Sequence, residues 1–306
     1  MTNKNLDNNA LIQGNLVQNE STKPKLSLSE FLANESLIKN SNDKYVPNNQ
    51  QLKSLVCYDE INLGDIDTSK ITNMKDLFKN STRQDFSGID KWNVDSVTTF
   101  MGMFEGAENF NEDISQWNVS NATNFMQMFW NAKLFNQPIG KWKTTKATNT
   151  IRMFCNAKNF NQPLQDWDMS SVEWTWEMFA GAVNFNQPLD KWNISNVKKM
   201  QNMFSRAESF NQDLSAWGNK LGKAQNMKRM FADTKSLNQT FAWKLNENCD
   251  LTNITKGSAL KLEISFIDDD SVQQETLQDS TQSSEKYPLQ KRNLLQISKI
   301  LPFIKL

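Results

Sequence analysis

Residues 117–141 read WNVSNATNFMQMFWNAKLFNQPIGK, and variants of this string recur along much of the chain. Its tryptophan returns at one constant interval as Trp92, Trp117, Trp142, Trp167, Trp192 and Trp217, and Trp243 follows a single position late. A period in this range marks a stacked repeat array, because one such unit cannot bury its apolar face without neighbours. With each tryptophan as position 0, Met103, Met128, Met153, Met178 and Met203 share position +11. Phe104, Phe129, Phe154, Phe179 and Phe204 share +12, and alanine always holds +15. Phe110, Phe135, Phe160, Phe185 and Phe210 hold +18, and isoleucine or leucine holds +22.

Two spacings coexist within the unit. From +5 to +12 the apolar residues fall three and four apart, as Val197, Met200, Met203 and Phe204 do, which predicts a short amphipathic helix capped by Ser195 or Asn196. Around the tryptophan the spacing is two, which predicts a short strand over residues 113–119 and their equivalents. Pro138, Pro163 and Pro188 precede that strand, where a missing N–H does least harm. The expected fold is therefore a repeat solenoid with one short parallel strand and one short helix per 25-residue unit, wound right-handed. Position +19 is occupied by Asn111, Asn136, Asn161, Asn186 and Asn211, whose amides are expected to satisfy turn backbone along the stack.

The units divide the chain. Residues 64–257 hold about seven repeats, with ITNMKDLF at 71–78 matching the helix segment of the first. Residues 50–63 are apolar enough to cap it, as the end of an array requires. Residues 1–49, poor in apolar side chains, are expected to be mostly disordered apart from a short helix over 29–38. Residues 258–306 diverge from the repeat: ALKLEISFI at 259–267 reads as a last strand on the array's edge, followed by a linker. The final stretch, PLQKRNLLQISKILPFIKL, is basic and apolar and reads either as a surface-seeking helix or, with Pro302 in it, as a disordered end.

The recurring WN[VI]SN[AV], MF and FNQP[IL] or FN[EQ]D[IL], together with DIDTSKITNMKDLF at 65–78, resemble the bacterial surface-protein repeat, the leucine-rich-repeat-like BspA-like module. The resemblance covers residues 50–257 and includes the lead-in QQLKSLVCYDEINLGDIDTS. It implies a surface or adhesion role for some members and no catalytic residues. No 7-to-15-residue apolar leader stands at the front, so the sequence alone reads as cytoplasmic, whereas the resemblance points some members to the cell surface.

Composition narrows the chemistry. The chain has no histidine, which removes the usual acid–base group near neutrality and the commonest metal ligand. Cys57, Cys155 and Cys249 have no zinc spacing, and no Walker, GxGxxG or HExxH pattern occurs. Cys155 reads as a small filler, and Asp166 and Asp168 as solvated groups beside a strand. No catalytic, cofactor or metal residue is therefore assigned. Lysine plus arginine and aspartate plus glutamate both total 34, which argues against nucleic acid as a partner, and no stretch is long and apolar enough to span a membrane. The expected function is binding to a protein or glycan, with an intracellular scaffold as the alternative. Three tryptophans outside the repeating column, Trp174, Trp176 and Trp130, are the candidate contacts; Trp174 stands where other units carry Thr99, Asn124, Asn149 or Lys199. The competing expectation for Trp174 and Trp176 is extra packing between helices.

Overall fold

A ladder of parallel bridges runs Asn73, Thr99, Asn124, Asn149, Trp174, Lys199, Asn226, Asp250, each residue pairing with the next. Successive coils of the chain therefore lie side by side, offset by one hydrogen-bonded rung each. These rungs come from the computed structural model, which describes residues 26–267. Eight coils contribute to the ladder among the described residues, one more than the seven units counted from sequence, because the coil that starts at Trp243 also takes part.

The coils contain no α-helix among the described residues; both α-helices, α1 (Leu28–Asn34) and α2 (Asn49–Leu55), precede them. This corrects the expected strand-and-helix unit. In the coil beginning at Trp117, the N–H groups of Phe125, Gln127, Phe129 and Asn131 donate to the carbonyls of Asn149, Ile151, Met153 and Cys155 at 2.8–2.9 Å. The intervening N–H groups of Met128, Trp130 and Ala132 close turns onto Phe125, Gln127 and Phe129 at 3.0–3.2 Å. Alternate donors thus leave the segment for the next coil, which a helix would not permit. Residues at +10 and +14 adopt left-handed backbone, as Gln127 (φ 60°), Asn131 (59°), Arg152 (54°) and Asn156 (56°) do, and each interrupts any right-handed helix. Apolar spacings of three and four fit a chain of three-residue turns as well as they fit a helix.

The expected strand around the tryptophan is likewise displaced. The parallel rung lies at +7, and the segment before the tryptophan is a tight turn in which Trp117 N–H donates to Ile114 O at 3.1 Å. The same carbonyl accepts the indole N–H of Trp142 from the next coil at 3.2 Å. This staple recurs from Trp92 on Leu63 O through Trp243 on Leu214 O. Among the described residues only the last coils form true strands, β1 (Thr240–Leu245) paired in parallel with β2 (Lys261–Phe266). There the sequence NQTFAWKL replaces the proline-containing NQPIGKW, and Phe241, Trp243 and Leu245 alternate cleanly.

The core is a set of aromatic columns. Phe104, Phe129, Phe154, Phe179, Phe204 and Phe231 stack at ring separations of 5.5–5.7 Å. Phe110, Phe135, Phe160, Phe185 and Phe210 stack beside them at 5.7–6.1 Å. Trp142 stacks on Trp167 and Trp192 on Trp217, and all the repeating tryptophans are buried. The asparagines at +19 form a ladder nearer the surface: Asn136 N–H donates to Asn111 Oδ1 at 2.8 Å, and Asn161, Asn186 and Asn211 repeat the bond at 2.9 Å. Their positions are half-exposed or exposed.

The N-terminal cap begins earlier than residue 50. Residues 26–49 are not disordered: Ser27 and Glu30 form a capping box on α1, and Asn48 and Gln51 form another on α2. Phe31, Leu52 and Leu55 are buried in the common core, and the burial of Phe31 holds α1 against it despite the polar composition around it. Lys39 pairs antiparallel with Tyr45, which in turn pairs in parallel with Ile66, closing the front of the ladder. Residues 1–25, and the linker and basic, apolar segment expected over residues 268–306, lie outside the described residues.

Candidate interaction face

The bridge residues at +7 do a second job in most coils. Asn124 Oδ1 accepts the N–H of Met126 and Asn149 Oδ1 that of Ile151, both at 3.0 Å. Asn73, Thr99, Asn226 and Asp250 make the equivalent bond to the residue two ahead. Trp174 and Lys199 have no side-chain acceptor, so Trp176 and Gln201 receive no such bond. Trp174 thus gives up a local backbone cap and leaves its indole 37 % exposed.

Side chains at +7 and +9 project to the same side, because the residue between them, Thr175 in this coil, is buried. The +9 row runs Lys75, Met101, Met126, Ile151, Trp176, Gln201. Four consecutive rows are apolar, and Met101, Met126 and Trp176 are half-buried. At the usual strand separation they form a stripe roughly 15 Å long. This stripe was legible in the repeat alignment but is not among the candidate contacts read from sequence, which rest on the larger aromatics.

Three coils meet around Arg152. Its guanidinium carbon lies 5.2 Å from the Trp130 ring and 5.0 Å from the Trp176 ring. Its Nε donates to Glu177 Oε2 at 2.6 Å. The structure therefore brings Trp130 and Trp176 together through one arginine, and sets Trp174 two residues away on the same side. With no α-helix in the coils, the packing that Trp176 makes is against Arg152 of the preceding coil rather than between helices. One flanking charge is paired within the face, Lys198 with Glu173 at 2.9 Å, whereas Lys199, beside Trp174 in the +7 row, has no ion pair among the described residues. Glu105, in the row of Trp130, is bound to Lys79 at 2.9 Å, yet its Oε2 is buried without a hydrogen-bond partner. Burial pushes its carboxyl above the usual glutamate value, with Lys79 opposing.

No reactive group stands out on this face. Burial raises the Cys155 thiol to about 12 and the Cys249 thiol to about 11, both far from the thiolate range near neutrality. Asp166 is paired with Lys191 at 3.6 Å, and Asp168 accepts the N–H of Ser170 at 2.9 Å. Both border a shallow groove of about 340 Å³ with Lys141, Lys143 and Thr144, distinct from the tryptophan face. Among the described residues, no three of His, Cys, Asp or Glu gather closely enough to hold a metal ion, and no helix is long and apolar enough to cross a membrane.

The chain belongs to the family described as "Mycoplasma protein of unknown function, DUF285", which matches it twice, over residues 51–165 and 152–263. The first match begins within α2 of the cap, and together the two span the repeating coils. No curated protein and no solved structure matches the chain.

Proposed function

We propose that this member of the family is a non-catalytic binding module of the BspA-like, leucine-rich-repeat-like kind, its stacked coils forming a solenoid that presents one face to a protein partner. The observation that carries the proposal is Trp174, a large aromatic left exposed at a position where most coils use a side chain to cap their own backbone. A sequence that gives up that bond for an exposed indole trades local stability for contact. The surroundings support a protein as the partner: Trp, Met and Arg are the residues enriched at interface centres, and Arg152 and Lys198 are already paired with Glu177 and Glu173. A shallow face without a deep cleft suits a macromolecule better than a small substrate. The family resemblance supports a surface or adhesion setting for this contact.

The test is a binding comparison with immobilised protein. A Trp174→Ala, Trp176→Ala double variant is expected to melt within a few degrees of the parent while losing about 30-fold in affinity for whatever the parent captures, the equivalent of about 2 kcal/mol. A double variant that captures the same partner with equal affinity would remove this face from the function.

A further inference from the structure

We propose that two copies of this chain join tail to tail through antiparallel pairing of β2 with its counterpart in the second copy. The two ends of the coil stack differ. The front is closed by α1, α2 and the Lys39–Tyr45 bridge. Among the described residues the rear ends in β2, the outer strand of a two-stranded sheet. Phe241, Trp243 and Leu245 of β1 are buried because β2 covers them. The same positions one coil on, Leu262 and Ile264, are only half-buried, and Phe266 is 51 % exposed.

The main chain of β2 is also half used. Lys261 N–H donates to Gln239 O at 3.0 Å and Ile267 N–H to Leu245 O at 2.9 Å, so the odd-numbered residues face β1. By the alternation of a strand, the N–H and C=O groups of Leu262, Ile264 and Phe266 point away from it, an edge without a partner among the described residues. The front ends in the single Lys39–Tyr45 bridge rather than in a strand of β2's length, so a closed two-fold contact of β2 with its own copy uses more of this edge than head-to-tail growth would.

The strand is self-complementary in one register. Centred on Ile264, the pairing sets Ile264 against its own copy, Leu262 against Phe266, and Glu263 against Ser265. Every apolar residue then meets an apolar one, and the outward main-chain groups of all three even-numbered residues find partners. Centring on Glu263 would instead oppose two carboxylates. The dimer would make the two aromatic cores continuous across the axis and leave both tryptophan faces free.

Sedimentation of the full chain over a range of concentrations tests this. The mass is expected to rise from 35.3 kDa to twice that value. Phe266→Asp, at an exposed position, is expected to stay folded by circular dichroism and to weaken dimerisation at least tenfold. Adding Leu262→Lys to that variant sets opposite charges against each other across the axis and is expected to restore the dimer, an outcome specific to this register. A single 35.3 kDa species at every concentration would overturn the proposal. So would a Phe266→Asp variant that dimerises like the parent. Protection of the Leu262, Ile264 and Phe266 amides from hydrogen exchange in a chain that remains monomeric would assign the edge to another part of the same chain, and would overturn it equally.

Discussion

Arg83 carries an unusual load for one side chain. It is 3 % exposed, and its guanidinium donates to the carbonyls of Asp85, Tyr58 and Ile61. Tyr58 and Ile61 follow α2, so one arginine ties the cap to the loop before Trp92, where the coil is one residue longer than the later ones. Burial draws its pKa below the ordinary arginine value, and the charges of Asp59, Asp85 and Glu60 nearby oppose that shift. Truncation leaves three carbonyls without their donor. Arg83→Ala is expected to cost about 3 kcal/mol, and Arg83→Lys to recover only part of it, because an ammonium cannot reproduce the fork. Chemical denaturation of both variants checks the order; an Arg83→Ala midpoint equal to the parent's would show that water replaces the fork without loss. Nothing in the sequence singled out Arg83, since NSTRQDF reads as an insertion loop and the burial of its charge depends on the carbonyls of Tyr58 and Ile61, a full coil back along the chain.

At the scale of the element, the unit of stability is the rung rather than a helix or strand. Each coil is fastened to the next by main-chain bonds at alternate residues, by the indole staple and by the asparagine ladder. The phenylalanine columns fill the space between. Phe160 stacks on Phe135 at 5.8 Å and Phe185 at 6.0 Å and touches Phe154 within its own coil at 4.1 Å. Its loss therefore opens a void shared by three coils. Phe160→Ala is expected to destabilise by about 3–5 kcal/mol. Leu134→Ala, at a side chain 48 % exposed, should change little and serves as the control. If the two variants melt together with the parent, the stacked columns do not hold the array. The columns themselves were legible in the sequence, because burial forces the same residue type to return at the same step.

At the scale of the whole molecule, stability depends on pH through two opposing sets of carboxylates. Asp67, Asp168, Asp213 and Asp250 accept the hydroxyl and then the main-chain N–H of the Ser or Thr two residues on, which holds them below the ordinary value of 3.8. Their folded pKa is lowered, so their contribution is present above 3.8 and is lost as pH falls through the folded values. Glu105 runs the other way. Its folded pKa is raised above 4.5 by burial, so its contribution is present below 4.5 and is lost as pH rises through the raised value. The melting temperature is expected to drop on acidification below about pH 4. The difference between Glu105→Gln and the parent is expected to widen in favour of the variant as pH rises from 4.5. Thermal melts of both proteins across that interval measure it, and a constant difference would mean that Glu105 is solvated in the folded chain.

The sequence by itself determined the period, the identity of the inward columns and the three tryptophans that depart from it, because each follows from repetition of side chains along one chain. Only the tertiary structure decided where the backbone hydrogen bonds go. Spacings of three and four bury the same side chains whether the segment is a helix or a run of turns. The two differ in whether the N–H of Phe125 bonds within its own segment or reaches Asn149 in the next coil. That choice depends on a neighbouring coil and on left-handed residues such as Arg152, whose side chain favours no such conformation. The same dependence governs the candidate face. Trp130, Arg152 and Trp176 belong to three successive coils, and stacking in register is what places one guanidinium between two indoles.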